Sequence, residues 1–319
     1  MLFAILKLYA RLAIKIYCRK IFINKPELLK IKGPVLFAAN HPNSFLDGII
    51  LTTLLEANLY SLARGDAFRN KKYAKLLRWL HLLPVYRTSE GVENLSHNYS
   101  TFASCIEVFK KNGLVMIFSE GRCINEWHLR PLKKGTARLA ISAWQQGIDV
   151  QVMPLGFNYN TFRNFGKNVF LNFGEPLDKS AVMQHVSDGR LLLSFNEQLE
   201  AQLQQLVYEI NPDDKKLMKE KLFVPQPLWK VVLLAVPALA GWLLHAPLYY
   251  AAKAFTNRFF NNDHYDSVIA SILVLAYPFY LLIFCVAFGV LFNWLTAVGI
   301  FFLLPFTAWA CVQLKDQLD

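Results

Sequence analysis

The chain has 319 residues, of which 54% are hydrophobic and only 18% are charged, with a formal net charge of +11. This length accommodates one α/β domain with a smaller region beside it, and the apolar composition excludes an ordinary soluble protein and indicates membrane contact. A basic excess suits nucleic acid as well as anionic lipids or phosphorylated substrates, but the apolar content favours lipid, so we expect no nucleic-acid partner. The scattered cysteines contain no CxxC pair, which predicts free thiols and no metal site at Cys18, Cys105, Cys123, Cys285 and Cys311.

Residues 2–23 carry apolar side chains at helical spacing. Basic side chains recur every four positions on another face: Lys7, Arg11, Lys15 and Arg19. This pattern predicts a basic amphipathic helix in the membrane interface, and we assign residues 1–30 to that segment. The alternative is a surface helix that packs on the protein's own core. No small-residue cleavage site follows, so the segment does not resemble a signal peptide.

Residues 31–215 alternate short apolar runs with amphipathic stretches, which predicts an α/β domain with a central, mostly parallel or mixed sheet flanked by helices. The predicted strands are Val35–Ala39, Leu59–Ala63, Leu82–Tyr86, Leu114–Phe118, Val150–Leu155 and Val169–Phe173. The predicted helices are Tyr73–Leu80, Tyr99–Lys111, Thr136–Gln146 and residues 190–210. We expect this domain to carry the chemistry.

Residues 222–319 are predicted to form a C-terminal, hydrophobic, helical membrane region. Apolar stretches cover residues 228–252, 268–292 and 295–312, and the second contains 25 residues without a charge, enough to span a bilayer. The short gap at Asn293-Trp294 indicates a tight hairpin or a re-entrant pair. Two or three spans are both compatible with the sequence, and a buried soluble core is the disfavoured alternative.

The segment NHPNSFLD follows the first predicted strand and contains a histidine and a carboxylate, His41 and Asp47. Six positions separate them, so they do not share one face of a continuous helix, but a turn between strand and helix allows the imidazole to meet the carboxylate. An imidazole oriented in this way can take a proton from a substrate hydroxyl. The alternative is structural, because Ser44 to Asp47 also fits a helix capping box.

A second polar segment, FSEGR, follows the strand Leu114–Phe118. Gly121 permits close approach of the backbone to a ligand, and the guanidinium of Arg122 suits phosphate oxygens. Glu120 is expected to hold that arginine or a substrate hydroxyl. The alternative is a Glu–Arg ion pair at the end of a strand.

Other polar side chains also follow predicted strands or precede a helix. Arg64 and Arg87 come after strands, and Lys133 and Lys134 precede a helix whose N-terminus favours an anion. Because ligands of open α/β sheets bind at the carboxyl ends of the strands, we expect these cations and His41 to form one site.

Four segments in order, NHPNSFLD, LLPVYR, FSEGR and VMPLGF, resemble the four sequence blocks of the glycerolipid acyltransferases, with KKGTARLA between the third and fourth. The resemblance covers roughly residues 30–180. Two departures stand out: five residues separate His41 from Asp47 where the family usually has four, and Ser119 replaces the usual proline of the third block.

The resemblance implies roles for individual residues. It makes His41 the base and Asp47 its orienting partner, associates Arg87, Glu120, Gly121 and Arg122 with the glycerol-phosphate acceptor, and links Pro154 to the acyl-donor side or to the shape of the site. It implies transfer of a fatty acyl group from acyl-CoA or acyl carrier protein to glycerol-3-phosphate or lysophosphatidate in phospholipid biosynthesis, without a cofactor.

We expect backbone N–H groups near the first block to stabilise the tetrahedral oxyanion. The lysine-rich segment at residues 215–221 predicts a catalytic domain on the cytoplasmic side of the membrane. Three alternatives remain open: a non-phosphate acceptor such as an amino-acid lipid, a lipid hydrolase that uses the same histidine, and a lipid-binding protein without a catalytic base.

Overall fold

The computed structural model of the chain describes residues 2–86, 97–184 and 187–318. A seven-stranded sheet in these ranges has the order β1-β7-β6-β2-β5-β3-β4. Its strands are β1 Cys18–Ile23, β2 Val35–Ala39, β3 Leu59–Arg64, β4 Leu82–Val85, β5 Leu114–Phe118, β6 Gln151–Tyr159 and β7 Lys167–Phe173. Neighbouring strands are parallel except for β6 and β7, which are antiparallel. The prediction of a mixed α/β sheet is confirmed.

Helices cover both faces of the sheet. They are α1 Leu2–Tyr17, α2 Ser44–Leu54, α3 Lys71–Trp79, α4 His97–Lys110, α5 Gly135–Gln145, α6 Lys179–Met183, α7 Asp188–Leu206, α8 Lys215–Leu222, α9 Leu228–Phe259, α10 Tyr265–Leu291 and α11 Trp294–Leu314. One core contains buried side chains of α4, α5 and α7, such as Phe109 and Phe195. The core on the opposite face contains Ile50 of α2, Ile14 of α1 and Ala270 of α10. The N- and C-terminal segments therefore meet on the α2 face.

The predicted helix over residues 2–23 is wrong beyond Tyr17, where β1 begins. In β1, Ile21 pairs with Val169 of β7, and the ring of Phe22 stacks on that of Phe170 with 4.8 Å between centroids. The basic and apolar residues of this segment alternate in a way that fits either a helix or a strand. The segment forms a strand because it pairs with the edge of β7. This strand belongs to the sheet and not to the predicted N-terminal helix.

Helix α1 turns two of its three basic side chains toward the protein, while Lys15 is exposed. Lys7 Nζ donates to Ala57 O at 3.0 Å and Arg11 Nε donates to Thr53 O at 2.6 Å, so these cations meet carbonyl groups at the end of α2. The apolar face points outward, with Leu2 61% and Leu8 57% exposed. Near the C-terminal end of α1, Ile14 and Tyr17 are buried in the core, so the helix packs on the domain and also exposes apolar side chains.

Helices α9, α10 and α11 are each long and apolar enough to cross a membrane, and together they associate the protein with a membrane. Their outer surfaces expose large apolar side chains, including Leu275, Phe279 and Trp294. The first residues of α10, in contrast, are buried against the sheet domain. The C-terminal region therefore packs on the sheet domain and is not a detached tail.

Candidate active site

His41 and Asp47 meet at the carboxyl end of β2. His41 Nδ1 lies 2.9 Å from Asp47 Oδ2, so the contact that the sequence suggested is formed. Asn40 fixes the start of the turn, because its side chain accepts from Phe157 N at 2.7 Å and donates to Phe157 O at 3.0 Å. The His41 ring stacks on Phe118 of β5 with 3.7 Å between centroids. Two neighbouring strands therefore hold the imidazole.

The Asp47 carboxylate is fully buried and accepts three hydrogen bonds. Besides His41, its Oδ2 atom accepts from Asn43 N at 2.9 Å, and its Oδ1 atom accepts from the Tyr159 hydroxyl at 2.6 Å. Burial, followed by the charge of Asp47, raises the pKa of Tyr159 well above its ordinary value, so the phenol remains a donor. The structural alternative, a capping box from Ser44 to Asp47, is not formed, since Asn43 and not Ser44 is the N-cap residue. Asp47 binds one turn N–H and the imidazole together.

Glu120 joins the His41 turn to a second loop. Its Oε2 atom accepts from His41 N at 2.7 Å and its Oε1 atom accepts from Arg130 N at 3.0 Å. Burial raises the pKa of Glu120 to about 7, the two N–H groups act to lower it, and the charge of Asp47 adds to the rise. Both carboxylate oxygens are thus taken by backbone, and the expected pair with Arg122 is not among the contacts of the described residues.

A basic rim follows β5 beside Glu120. Gly121 has a φ of +67°, and a Cβ atom there would lie 3.0 Å from Lys133 Cγ, so a side chain at this position would strain the turn. Lys133 N donates to Ser119 O at 2.7 Å, which brings the segment before α5 next to the FSEGR loop. The side chains of Arg122, Lys133 and Lys134 are exposed. Three cations therefore lie at the strand edge that carries His41.

The remaining predicted site residues lie in different settings. Arg64 ends β3 at the same sheet edge, but its guanidinium pairs with Asp66 at 2.5 Å. Arg87 lies outside the described residues. Pro154 is buried in β6, where it pairs with Ala38 of β2, one residue before the end of the paired segment. It alternates along β6 with Met153 and Leu155, which belong to the core on the α2 face, so Pro154 points away from His41.

Several backbone N–H groups that we expected to form an oxyanion site already have partners. His41 N donates to Glu120, Asn43 N to Asp47, Ser44 N to Cys123 Sγ at 2.9 Å, and Leu46 N to Ser267 Oγ at 3.0 Å. These four groups hold the turn together and are not available to an oxyanion. Burial raises the pKa of Cys123, which keeps that sulfur a neutral thiol.

The sequence did not point to the residues that approach the turn from distant parts of the chain. Tyr159 comes from the end of β6, and the α9–α10 junction, defined as residues 260–267, supplies Asp263, His264, Asp266 and Ser267. Asp266 alone had a visible signal, because it directly precedes a run without acidic or basic residues from 267 to 314. A buried tyrosine or serine in an apolar segment carries no comparable signal.

Residues 20–158 match the protein-family model described as Acyltransferase. No curated protein sequence matches the chain. Among solved structures, one match is the 1-acyl-sn-glycerophosphate (LPA) acyltransferase PlsC from Thermotoga maritima, at 16% identity, covering 59% of this chain and 72% of that chain, with a TM-score of 0.38. The family match spans the turn with His41 and Asp47 and the loop with Glu120 and Arg122, and it ends before α7.

Proposed function

We propose that this chain, which matches the Acyltransferase family model over residues 20–158, is a glycerolipid acyltransferase that transfers a fatty acyl group from a thioester to a hydroxyl of glycerol-3-phosphate or lysophosphatidate. The observation that carries the proposal is the contact of 2.9 Å between His41 Nδ1 and the buried carboxylate of Asp47. The family match supports an acyltransferase, and the site chemistry supports the acceptor hydroxyl as the nucleophile.

The imidazole is arranged for general-base catalysis. Because a carboxylate only accepts hydrogen bonds, Nδ1 of neutral His41 carries the hydrogen and Nε2 offers its lone pair to the substrate. Nε2 takes the hydroxyl proton while the hydroxyl oxygen bonds to the thioester carbonyl carbon. The carbon–sulfur bond then breaks, and the proton passes from the imidazolium to the departing thiolate. Asp47 stabilises the imidazolium and keeps the ring oriented.

The basic rim favours an anionic acceptor. Arg122 and Lys133 are exposed at the end of β5, which lies beside β2 in the sheet. A phosphate bound between them would hold the acceptor with its hydroxyl near His41, and this positioning contributes to the rate as well as to selectivity. The thioester carrier is coenzyme A or acyl carrier protein, and the reaction belongs to phospholipid biosynthesis.

The contacts of α9 favour an attachment to one side of the membrane. Near its start, Lys230 Nζ donates to Gln313 Oε1 at 2.6 Å, and Arg19 Nε of β1 donates to Gln313 O at 3.1 Å. Just after its end, Asn261 accepts from Arg163 at 2.8 Å in the loop that leads into β7. The start of α9 thus meets the end of α11 beside β1, and the end of α9 meets the loop before β7. These two places are neighbours, since Gly166 N of that loop donates to Tyr17 O next to β1.

We therefore infer that α9 bends at its two internal prolines, Pro237 and Pro247, and does not cross the bilayer. Helices α10 and α11 form the inserted hairpin, with Asn293 at its tip. The lysines of residues 215–221, which precede α9, support a catalytic domain on the cytoplasmic side.

An acceptor panel with one long-chain acyl-CoA tests the proposed reaction. Purified protein in phospholipid vesicles is offered glycerol-3-phosphate, lysophosphatidate or a non-phosphate lipid alcohol, and both acylated product and free fatty acid are measured. We expect acylated product with a phosphorylated acceptor and little free acid. Free acid as the main product with every acceptor would indicate a hydrolase.

Histidine variants test the role of the imidazole. His41→Ala removes the base, so turnover should fall by about 10²- to 10⁴-fold while the protein still folds and binds vesicles. The matched control is His128→Ala, because His128 is an exposed histidine that pairs with Glu209 away from the turn. Full activity of His41→Ala would contradict general-base catalysis, and a protein without activity in either form would be a lipid-binding protein.

Arginine variants test the acceptor site. Arg122→Ala should raise the KM for the phosphorylated acceptor and leave the KM for acyl-CoA unchanged, because only the acceptor loses a charge partner. Arg138→Ala is the control, since Arg138 is exposed on α5, the helix that packs on the opposite face of the sheet. An unchanged acceptor KM in Arg122→Ala would exclude this residue from phosphate binding.

A further inference from the structure

The first turn of α10 is bonded to the first turn of α2. Ser267 Oγ accepts from Leu46 N at 3.0 Å and donates to Asn43 O at 2.9 Å. One hydroxyl thus satisfies a donor and an acceptor of the segment between His41 and Asp47. Ser267 is completely buried, so no water competes for these two bonds.

Asp266 extends this connection to the catalytic carboxylate. It accepts from Asn43 Nδ2 at 2.7 Å, from the Tyr17 hydroxyl at 2.5 Å and from Lys167 Nζ. Asn43 in turn donates its backbone N–H to Asp47 at 2.9 Å. A continuous chain of hydrogen bonds therefore leads from the membrane hairpin through Asn43 and Asp47 to the imidazole of His41.

The charge on Asp266 is anchored from two sides of the fold. Lys167 at the start of β7 and Asp266 are both fully buried, and Tyr17 comes from the end of α1. Such a pair tolerates the loss of one partner poorly, because the remaining charge stays buried without compensation. The position of Asp266, and hence that of Asn43, is fixed by side chains of two separate elements, α1 and β7.

The turn itself requires external support. Ser44 has a φ of +51°, a left-handed conformation that is unfavourable for a residue other than glycine. Its hydroxyl lies 2.6 Å from His264 Nδ1, and Asn125 N, on the loop after β5, donates to Asp263 at 3.1 Å. The α9–α10 junction therefore contacts both loops that carry the candidate catalytic residues, and its packing offsets the strain at Ser44.

We propose that Asp266 and Ser267 are positioning residues of the catalytic centre, which hold the turn between His41 and Asp47 in its productive geometry. The C-terminal region is then a part of the active site as well as a membrane attachment. This inference rests on the proposed function, because it assigns the two residues to the alignment of the base. It goes beyond the family match, which ends at residue 158.

A serine series tests the proposal with small changes. Ser267→Ala removes both hydrogen bonds, so the alignment of the imidazole should loosen and kcat should fall by about 10- to 100-fold, with the KM values for acceptor and acyl-CoA within about twofold of wild type. Ser267→Thr keeps the hydroxyl and should restore most of the rate. The matched control is Ser271→Ala, one helical turn further along α10, which should retain the wild-type kcat.

A second variant removes the buried charges together. Asp266→Ala with Lys167→Met takes away the acceptor of Asn43 without leaving an unpaired charge, and kcat should again fall by about 10-fold or more at unchanged KM. Vesicle binding and thermal unfolding are measured alongside, so that kcat is calculated per folded, membrane-bound protein. If this variant does not fold, the serine series decides alone.

The outcomes separate this inference from the proposed function. Wild-type protein without acyl transfer would overturn both. Active wild type together with a kcat within twofold of wild type in Ser267→Ala would overturn the positioning role alone. An equal loss in Ser271→Ala, or a rise in KM instead of a fall in kcat, would also overturn it, because neither result follows from misalignment of the base.

Discussion

The buried carboxyl of Glu120 makes the stability of the protein depend on pH in a defined direction. Burial raises its pKa from 4.5 to about 7 in the folded state. Between these values the folded protein binds a proton that the unfolded chain releases, so the free energy of unfolding falls as the pH rises from 4.5 to 7 and levels off above 7. At about 1.4 kcal/mol per pH unit, the loss amounts to about 3 kcal/mol.

Glu120→Gln isolates this contribution, because glutamine has no charge to lose. We expect the free energy of unfolding of wild type minus that of Glu120→Gln, measured by urea unfolding in detergent micelles, to decrease by about 3 kcal/mol between pH 4.5 and 7 and to stay constant above pH 7. In Glu120→Gln the amide NH2 group also faces one of the two backbone N–H donors, which lowers the stability of the variant, but this loss does not vary with pH.

Glu107→Gln provides the control. The hydrogen bond from Lys110 lowers the pKa of the exposed Glu107, so this variant should differ from wild type by the same amount at every pH above 5. A difference between wild type and Glu120→Gln that is constant from pH 5 to 8 would refute the reasoning, because it would mean that Glu120 titrates at its ordinary pKa.

Further predictions concern the C-terminal helices. A Cβ atom on Gly241 would overlap the carbonyl oxygen of Thr307, so Gly241→Ala should lower the free energy of unfolding by about 1–3 kcal/mol, whereas Gly299→Ala, with open space around it, should not. Lys167→Met or Asp266→Asn alone should lower the free energy of unfolding by about 3–5 kcal/mol, because each leaves a buried charge without its partner. The double variant should lose much less than the sum of these two values, and an additive loss would contradict a buried ion pair. In a cysteine-free background, Asn262→Cys after α9 should react with an impermeant maleimide from the same side as Glu220→Cys; labelling from opposite sides would mean that α9 crosses the bilayer.

Most of the sheet was predictable from apolar runs. The six predicted strands correspond to β2 to β7, and Leu114–Phe118 has the predicted bounds. The strand β1 was missed because Cys18–Ile23 continues a helical pattern, and only its pairing with β7, almost 150 residues away, gives it a different structure. Local periodicity does not contain that information.

The site was predictable where its parts are close in sequence. His41 and Asp47 lie in one segment, and their contact follows from a single turn. The backbone partners of Glu120 were not predictable, because the groups that occupy its oxygens are N–H groups of two loops, which no sequence pattern marks. The junction with Asp266 was missed although this aspartate precedes a long run without charge, because its partner Asn43 lies more than 200 residues away in the sequence.

The apolar and the basic surfaces around His41 indicate how an acyl chain and a phosphate could both approach this imidazole. The His41–Asp47 turn lies on the sheet face that carries α1 and α10, and these helices expose apolar side chains such as Leu8 and Leu275. The basic side chains of Arg122 and Lys133 lie at the same edge of the sheet and are exposed. If α1 and the hairpin enter the bilayer as we propose, an acyl chain reaches the imidazole from the hydrocarbon side while the phosphate stays at the charged rim. Under this proposal, the hydrogen bonds between the start of α10 and the His41–Asp47 turn would keep the two approaches aligned with each other.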